Sequence, residues 1–145
     1  MRIPTLVEMA EAALAVLTQD PDGFFLMIEG SQIDWAAEDN DGEWLLDEMA
    51  DFNETVRLVR ELVSTRTNTL MIVTADHEAG GLSVVPGSEP GSIEFDWLTR
   101  QHTSDPVPIF AVGIQAARFG GIQTNYDVGR KIREILLMAI DGTLQ

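Results

Sequence analysis

Residues 70–81 read LMIVTADHEAGG, an apolar run that stops abruptly at Asp76 and His77 and is followed by two glycines. A short apolar run bounded by turn residues is typical of a buried strand. Ligand sites in open α/β sheets gather at the carboxyl ends of such strands. The stretch therefore predicts a carboxylate and an imidazole at the rim of a sheet, a donor pair suited to a divalent metal ion. The alternative is a simple turn in which His77 hydrogen-bonds to a neighbour.

Composition places the chain among globular proteins and disfavours some classes of binding partner. The chain has 145 residues, of which 45% are hydrophobic, enough for one domain with a real core over residues 1–145. No apolar run approaches the ~20 residues that span a bilayer. The net charge of −15 makes nucleic acid and anionic membranes poor partners.

The residue types present also restrict the metal chemistry. The chain has no cysteine and only two histidines, against 24 acidic residues. A disulfide framework and a thiolate zinc site are therefore both excluded. Any metal ion must be held by His, Asp and Glu side chains, and most of its ligands must be carboxylates.

Hydrophobic periodicity and turn residues predict alternating helices and strands. The first half is predicted to contain a helix that begins at a Thr5–Glu8 capping box and ends near Gln19, a strand at 24–28, a polar loop from Ser31 to Gly42 and a helix from Glu43 to about Ser64. A strand at 70–74 follows, and then a hairpin-like excursion with arms at 82–85 and 93–95 around PGSEPG. The last elements are a strand at 107–112 and a helix from Asn125, as N-cap, to about Ile140, with Gly142 as its stop.

This order favours an α/β fold with three layers. Strands separated by long helices call for right-handed crossovers and a mainly parallel sheet flanked by helices. Three central strands are few for such a sheet. The chain is therefore expected to form part of a larger sheet, with a small β-hairpin excursion and an edge left unpaired.

Candidate metal ligands lie close to all three predicted strands. They are Glu29, Asp34 and Glu38 after the first strand, Asp76 and His77 after the second, and His102 before the third. Parallel strands would bring the first two groups to one edge, which the loop of His102 could reach. Alternatively, Asp34 and Glu38 belong to a solvated acidic loop, and His102 is an ordinary surface histidine.

Four segments carry a resemblance to a known family. They are FFLMIEGSQID at 24–34, VTADHEAGG at 73–81, QHT at 101–103 and FGGIQTNYDVG at 119–129. The segments resemble the alkaline phosphatase family, stand in that family's order and cover essentially the whole chain. The resemblance implies an alkaline-phosphatase-like fold and hydrolysis of phosphate monoesters through a phosphorylated serine. It also implies a periplasmic or secreted location.

The same resemblance implies a metal centre with two zinc ions and a nearby magnesium ion. Asp34 and His102 match ligands of the first zinc, Asp76 and His77 match ligands of the second, and Glu29 matches the magnesium carboxylate. The family has a histidine where this chain has Glu38. The substitution predicts a harder first site with weaker zinc preference, unless Glu38 faces solvent and binds nothing.

A second departure concerns the nucleophile. The family's serine lies in an Asp-Ser-Ala type motif in the N-terminal half, and nothing in this chain resembles it. The chain therefore resembles the C-terminal part of such an enzyme, with incomplete zinc sites and no catalytic residue of its own, and is expected to have little activity alone. One alternative is a non-catalytic fragment with a degenerate metal site that self-associates as a homodimer; another is a related phosphodiesterase or phosphotransferase.

Overall fold

The computed structural model describes residues 2–86, 89 and 92–144. In chain order its elements are α1 (Leu6–Leu17), α2 (Gln32–Asp39), α3 (Gly42–Ser64), β1 (Leu70–Thr74), β2 (Glu78–Ala79), β3 (Ser83–Val84), β4 (Phe95–Asp96), β5 (His102–Thr103), β6 (Ile109–Gly113), a 3₁₀ helix (Ala116–Phe119) and α4 (Asn125–Ile140).

Helix ends follow the local capping signals. Thr5 and Glu8 form the predicted capping box at the start of α1. The Asp41 side chain accepts a hydrogen bond from the Trp44 amide and caps α3. At α4 the cap is Thr124, one residue before the predicted Asn125, because the Thr124 hydroxyl accepts the hydrogen bond from the Asp127 amide.

The predicted parallel pairing of the strands is wrong for every ladder in the described chain. β1 pairs with β6 antiparallel, from Leu70 opposite Gly113 to Thr74 opposite Ile109, and β2–β5 and β3–β4 are antiparallel too. A parallel pair needs a crossover, usually a helix. The described chain between β1 and β6 forms only short ladders, and it re-enters the sheet from the end where β1 leaves it.

The small hairpin excursion is confirmed by the pairing of β3 with β4. Its tip is described only in part: Glu89 and Ser92 form a bridge. Residues 87, 88, 90 and 91 of the predicted excursion lie outside the described residues.

The predicted strand at 24–28 does not form. This segment alternates between half-buried and exposed side chains, as an extended chain does, and Phe25 and Met27 are 61% and 74% exposed. A strand needs a hydrogen-bonded neighbour, and no strand within the described ranges pairs with this segment.

The predicted polar loop from Ser31 is also wrong, since most of it forms α2. The charged residues suggested a loop, but Ala36 and Ala37 are almost fully buried where α2 packs against α3. Asn40 then ends the helix in the left-handed conformation, with φ +56°. Two buried alanines among acidic residues give only a weak sequence signal for a helix.

The core lies where α1 and α2 pack on α3, and where α3 packs on the β1–β6 ladder. The buried hydrophobic side chains of the described chain include Ala10, Leu14, Leu45, Val63, Phe119 and Ile135. Within the described residues, no helix has both the length and the apolar character needed to cross a membrane.

Candidate metal centre

Three of the predicted ligands converge on one point. Asp34 on α2, His77 after β1 and His102 on β5 each offer a ligand atom, and these atoms lie within 4.8 Å of one another. Asp34 Oδ1 is 3.5 Å from His102 Nε2 and 4.0 Å from His77 Nδ1. One carboxylate and two imidazoles thus form a group of donors that could hold a metal ion.

The β2–β5 ladder positions the two histidines. Ala79 pairs with His102 and Glu78 with Thr103, so His77 comes beside His102. The imidazole rings stack with centroids 3.5 Å apart and an interplanar angle of 19°. The antiparallel pairing of two-residue strands therefore sets the geometry of the site.

Glu78 stabilises the turn after His77 through hydrogen bonds. The sequence analysis did not assign a role to this residue. Its carboxylate accepts hydrogen bonds from the amides of Gly81 and Leu82, at 3.1 Å each, and from the Thr103 hydroxyl. Burial raises the pKa of Glu78, but the hydrogen bonds from Thr103, Leu82 and Gly81 outweigh it and the pKa is lowered. The ionised Glu78 ties the turn after His77 to the strand of His102.

Gly80 allows α2 to approach this turn. Its φ is +85°, and an added Cβ would lie 2.7 Å from the Trp97 ring and 3.0 Å from the Ala37 carbonyl oxygen. Only glycine accommodates both the left-handed backbone and the close contact. The approach matters because α2 also carries Asp34.

Two further predicted residues flank the three ligands. Glu38 lies one helical turn after Asp34, and its Oε1 is 3.3 Å from His102 Nε2. Asp76 Oδ2 is 3.4 Å from His77 Nε2, while the Asp76 side chain is 86% exposed. Asn125 at the start of α4 donates a 2.9 Å hydrogen bond to the Asp76 carbonyl and ties α4 to the site.

Glu29 stands apart from the other predicted ligands. It is exposed and belongs to no metal-ligand group found among the described residues. The structure thus brings together Asp34, Glu38, Asp76, His77 and His102, and leaves out Glu29. The segment before Glu29 pairs with no strand in the part of the chain that the structure describes.

The donor atoms fit a divalent metal ion. Asp34 Oδ1 and His77 Nδ1 are both inaccessible to solvent and make no hydrogen bond in the part of the chain that the structure describes. Burying a polar atom without a partner is unfavourable. A cation ligated by both atoms would remove that penalty, and mixed oxygen and nitrogen donors suit zinc and similar ions.

The structure defines an α/β protein with a candidate metal centre. A sequence model described as alkaline phosphatase matches residues 1–95, and the chain therefore belongs to the alkaline phosphatase family. Alkaline phosphatase 3 of Bacillus subtilis is 45% identical over 82 residues, covering 57% of this chain and 18% of the relative. Alkaline phosphatase of Escherichia coli is 30% identical over 143 residues, covering 87% of this chain and 30% of the relative.

Solved structures support the same fold. The alkaline phosphatase of the Antarctic bacterium TAB5 superposes with a TM-score of 0.82 at 31% identity, covering 94% of this chain and 41% of that chain. A mutant of that enzyme has been solved with Mg bound in a site called M3. The predicted α/β, alkaline-phosphatase-like fold is thus confirmed. The chain spans less than a third of the length of the two curated relatives named above.

Proposed function

We propose that this chain is the metal-binding portion of a phosphate monoester hydrolase of the alkaline phosphatase type. The observation that carries the proposal is the convergence of Asp34, His77 and His102, with two buried unpaired atoms, in a chain of this family. Family membership supplies the reaction class, and the clustered donors supply the means of holding the metal. We place the protein in the periplasm or outside the cell, on the family resemblance alone.

Zinc is the proposed metal of the clustered donors. When bound, a divalent ion supplies charge stabilisation at phosphorus and a water of lowered pKa. Following the family resemblance, Asp34, Glu38 and His102 would hold the first of two zinc ions, and Asp76 and His77 would contribute to the second. Glu29 is proposed for magnesium, whose preferred ligands are oxygens. Glu29 is exposed, so its carboxylate is accessible to another polypeptide segment. That segment would supply the remaining magnesium ligands.

As the 145-residue chain alone, the protein is expected to turn over phosphate monoesters at close to the uncatalysed rate. None of its serines lies in the nucleophile motif of the family. The chain would instead complete a site whose serine and phosphate-binding groups lie in other polypeptide.

The test measures hydrolysis of 4-nitrophenyl phosphate in the presence of zinc and magnesium. The chain is assayed alone and after coexpression with the serine-bearing N-terminal portion of a Bacillus subtilis alkaline phosphatase. We expect activity only in the coexpressed sample, with loss on addition of a chelator. Asp34→Ala should abolish the activity, and Asp47→Ala, an exposed carboxylate on α3, should retain it. Chelator-sensitive turnover by the chain alone, or none in the coexpressed sample, would reject the proposal.

Self-association is the second candidate, and the unpaired segment at 24–28 favours it. Exposed apolar side chains on an extended chain offer backbone and surface for pairing with another copy. Sedimentation at micromolar concentration should then show a homodimer that the double variant Phe25→Ser, Met27→Ser dissociates. Ile122→Ser, at a fully exposed apolar position outside this segment, serves as control. A monomeric wild-type chain would rule this candidate out.

A further inference from the structure

The ladder that carries His102 is very short. β2 and β5 contribute two residues each, and the paired residues are Glu78 with Thr103 and Ala79 with His102. An isolated two-stranded ladder is marginally stable at best in water. Backbone pairing alone is therefore a weak means of keeping β5 beside the turn after His77, so side-chain contacts are needed to fix the two strands.

Glu78 makes such contacts with both of its carboxylate oxygens. Oε2 accepts hydrogen bonds from the Gly81 amide, at 3.1 Å, and from the Thr103 hydroxyl. Oε1 accepts a third from the Leu82 amide, also at 3.1 Å. Hydrogen bonds to an ionised carboxylate are roughly twice as strong as those between neutral groups. One side chain thus joins the segment after β2 to the facing strand β5.

The contact between Glu78 and Thr103 lies next to both histidines. His77 directly precedes Glu78, and His102 directly precedes Thr103. Successive side chains of a strand point to opposite faces, so His102 lies on the face away from Thr103. The His77 ring stacks on that of His102, with centroids 3.5 Å apart. The hydrogen bond from Thr103 to Glu78 therefore fixes the separation of the two backbones on the opposite face of the ladder from the His102 ring.

The glycines after Glu78 complete the attachment of the turn. Gly80 and Gly81 have φ values of +85° and +59°. Successive amides in such turns form a concave site for an anion, and the Glu78 carboxylate occupies it. The Gly80 amide donates a 3.1 Å hydrogen bond to the carbonyl of Gln101, the residue before His102. The turn is therefore held to the segment of His102 by this backbone bond as well as by the Glu78 carboxylate.

We infer that Glu78 is a positioning residue, whose hydrogen bonds hold His77 against His102 before any metal ion binds. The role deepens the metal-binding part of the proposed function, on which it rests. Ligands that are already in place lose less freedom when an ion arrives, so the contact raises the affinity for the ion. If Glu78 only stabilised the fold, its loss would lower stability and leave the affinity unchanged.

The first readout is the contact between the two rings in the chelator-treated chain. Nuclear Overhauser effects between the ring protons of His77 and His102 report the stacking in the absence of metal. They should be strong in the wild type and several-fold weaker in Glu78→Gln and in Thr103→Val, which removes the donor hydroxyl. Thr103→Ser keeps the hydroxyl and should restore them. Circular dichroism checks that each variant is folded, and unchanged ring contacts in a folded Glu78→Gln or Thr103→Val chain would overturn the inference.

Zinc affinity, measured by calorimetry, is the second readout. Glu78→Gln and Thr103→Val should bind zinc about 10–100-fold more weakly than the wild type, the range typical for lost groups that orient metal ligands. Glu134→Gln is the matched control, because it removes an ionised carboxylate that bonds to Arg118 and Arg130 instead. Equal losses of affinity in Glu78→Gln and Glu134→Gln would overturn the inference. A wild-type chain that binds no zinc would overturn the proposed function, and the ring contacts would still decide the role of Glu78.

Discussion

Glu38 and Asp34 lie one helical turn apart on α2, and both carboxylates reach His102. Sequence reasoning selected both residues, but it placed them in a loop, where their spacing has no geometric meaning. In a helix the same spacing puts them on one face. The Glu38 side chain is 40% exposed and lies beside the His102 ring, which supports Glu38 as a candidate ligand.

Replacing Glu38 by histidine should increase the preference of the site for zinc. The change exchanges a hard carboxylate for a borderline imidazole and removes one negative charge. Competition between Zn²⁺ and Mn²⁺, measured by calorimetry, should favour zinc more strongly in Glu38→His than in the wild type. Glu38→Gln controls for the loss of charge alone. An unchanged metal ratio in Glu38→His would show that Glu38 does not act as a ligand.

Gly113 is the residue whose substitution should damage the β1–β6 ladder most directly. Its φ is +100°, and an added Cβ would lie 2.1 Å from the Thr69 carbonyl oxygen, which accepts the Ile114 amide. Because the obstructing atom is backbone, Gly113→Ala should lower the free energy of unfolding by more than about 1 kcal/mol. Urea unfolding provides the measurement.

Gly129 provides the matched control for that substitution. It lies inside α4, and an added Cβ would meet no atom within 4 Å beyond its chain neighbours and the nearby backbone of its own helix. Gly129→Ala should therefore raise the free energy of unfolding by about 0.5–1 kcal/mol, because alanine favours the helix. Equal effects of the two substitutions would show that backbone conformation is not the cause.

At the scale of elements, α3 connects the helical layer to the sheet, since α1, α2, β1 and β6 all pack against it. Its stepping pattern of apolar residues predicted the helix almost to the residue, because the amphipathic period is a strong local signal. The Asp41 cap fixes its start one residue earlier than predicted. Substitutions on the buried face of α3 should therefore weaken the packing of both the helical layer and the sheet.

Leu45→Ala should lower the free energy of unfolding by about 2–5 kcal/mol, the usual range for a buried leucine truncated to alanine. Leu45 is only 6% exposed, whereas its neighbour Leu46 is 41% exposed. Leu46→Ala should therefore have less than half the effect. Chemical denaturation of both variants makes the comparison, and equal losses would contradict the assignment of α3's buried face.

A pH-dependent contact links α4 to the 3₁₀ helix. Hydrogen bonds from Arg118, and then from Arg130, lower the pKa of Glu134 below its ordinary 4.5. A lowered pKa in the folded state means that the contribution to stability is complete above about pH 4.5 and is lost as the pH falls through the folded pKa. This contact therefore stabilises the protein at neutral pH and weakens in acid.

Urea unfolding of the wild type and of Glu134→Gln from neutral to acidic pH tests this link. The wild type should be the more stable of the two at neutral pH. The difference should shrink as the pH falls below about 4.5, because the protonated glutamate resembles the glutamine. A difference that stays constant across the range would show that the charge of Glu134 contributes nothing.

At the scale of the whole molecule, the large negative net charge affects stability. A charge of −15 on 145 residues opposes compaction by self-repulsion. Added salt screens this repulsion, since the Debye length falls from ~30 Å at about 0.01 M to ~3 Å at about 1 M ionic strength. The thermal midpoint of the chelator-treated chain should therefore rise with NaCl. Choline chloride should give the same rise, and a rise with sodium alone would indicate specific ion binding.

The sequence by itself determined the features that depend on neighbouring residues. These are the capping box of α1, the span of β1, the period of α3 and the stop at Gly142. Each depends on interactions within a few turns or residues, so local propensity is sufficient to specify it. The four family-like segments added the fold class, which the structural comparison confirms.

Only the tertiary structure decided which distant groups meet. It set the antiparallel pairing of β1 with β6, left residues 24–28 without a strand partner among the described residues, and formed α2 with two buried alanines. It also brought Asp34 to His77 and His102 while leaving Glu29 exposed. Strand pairing and side-chain convergence depend on contacts between residues far apart in sequence. Local pattern does not encode those contacts, so the sequence supplied the candidate ligands and the fold brought most of them together.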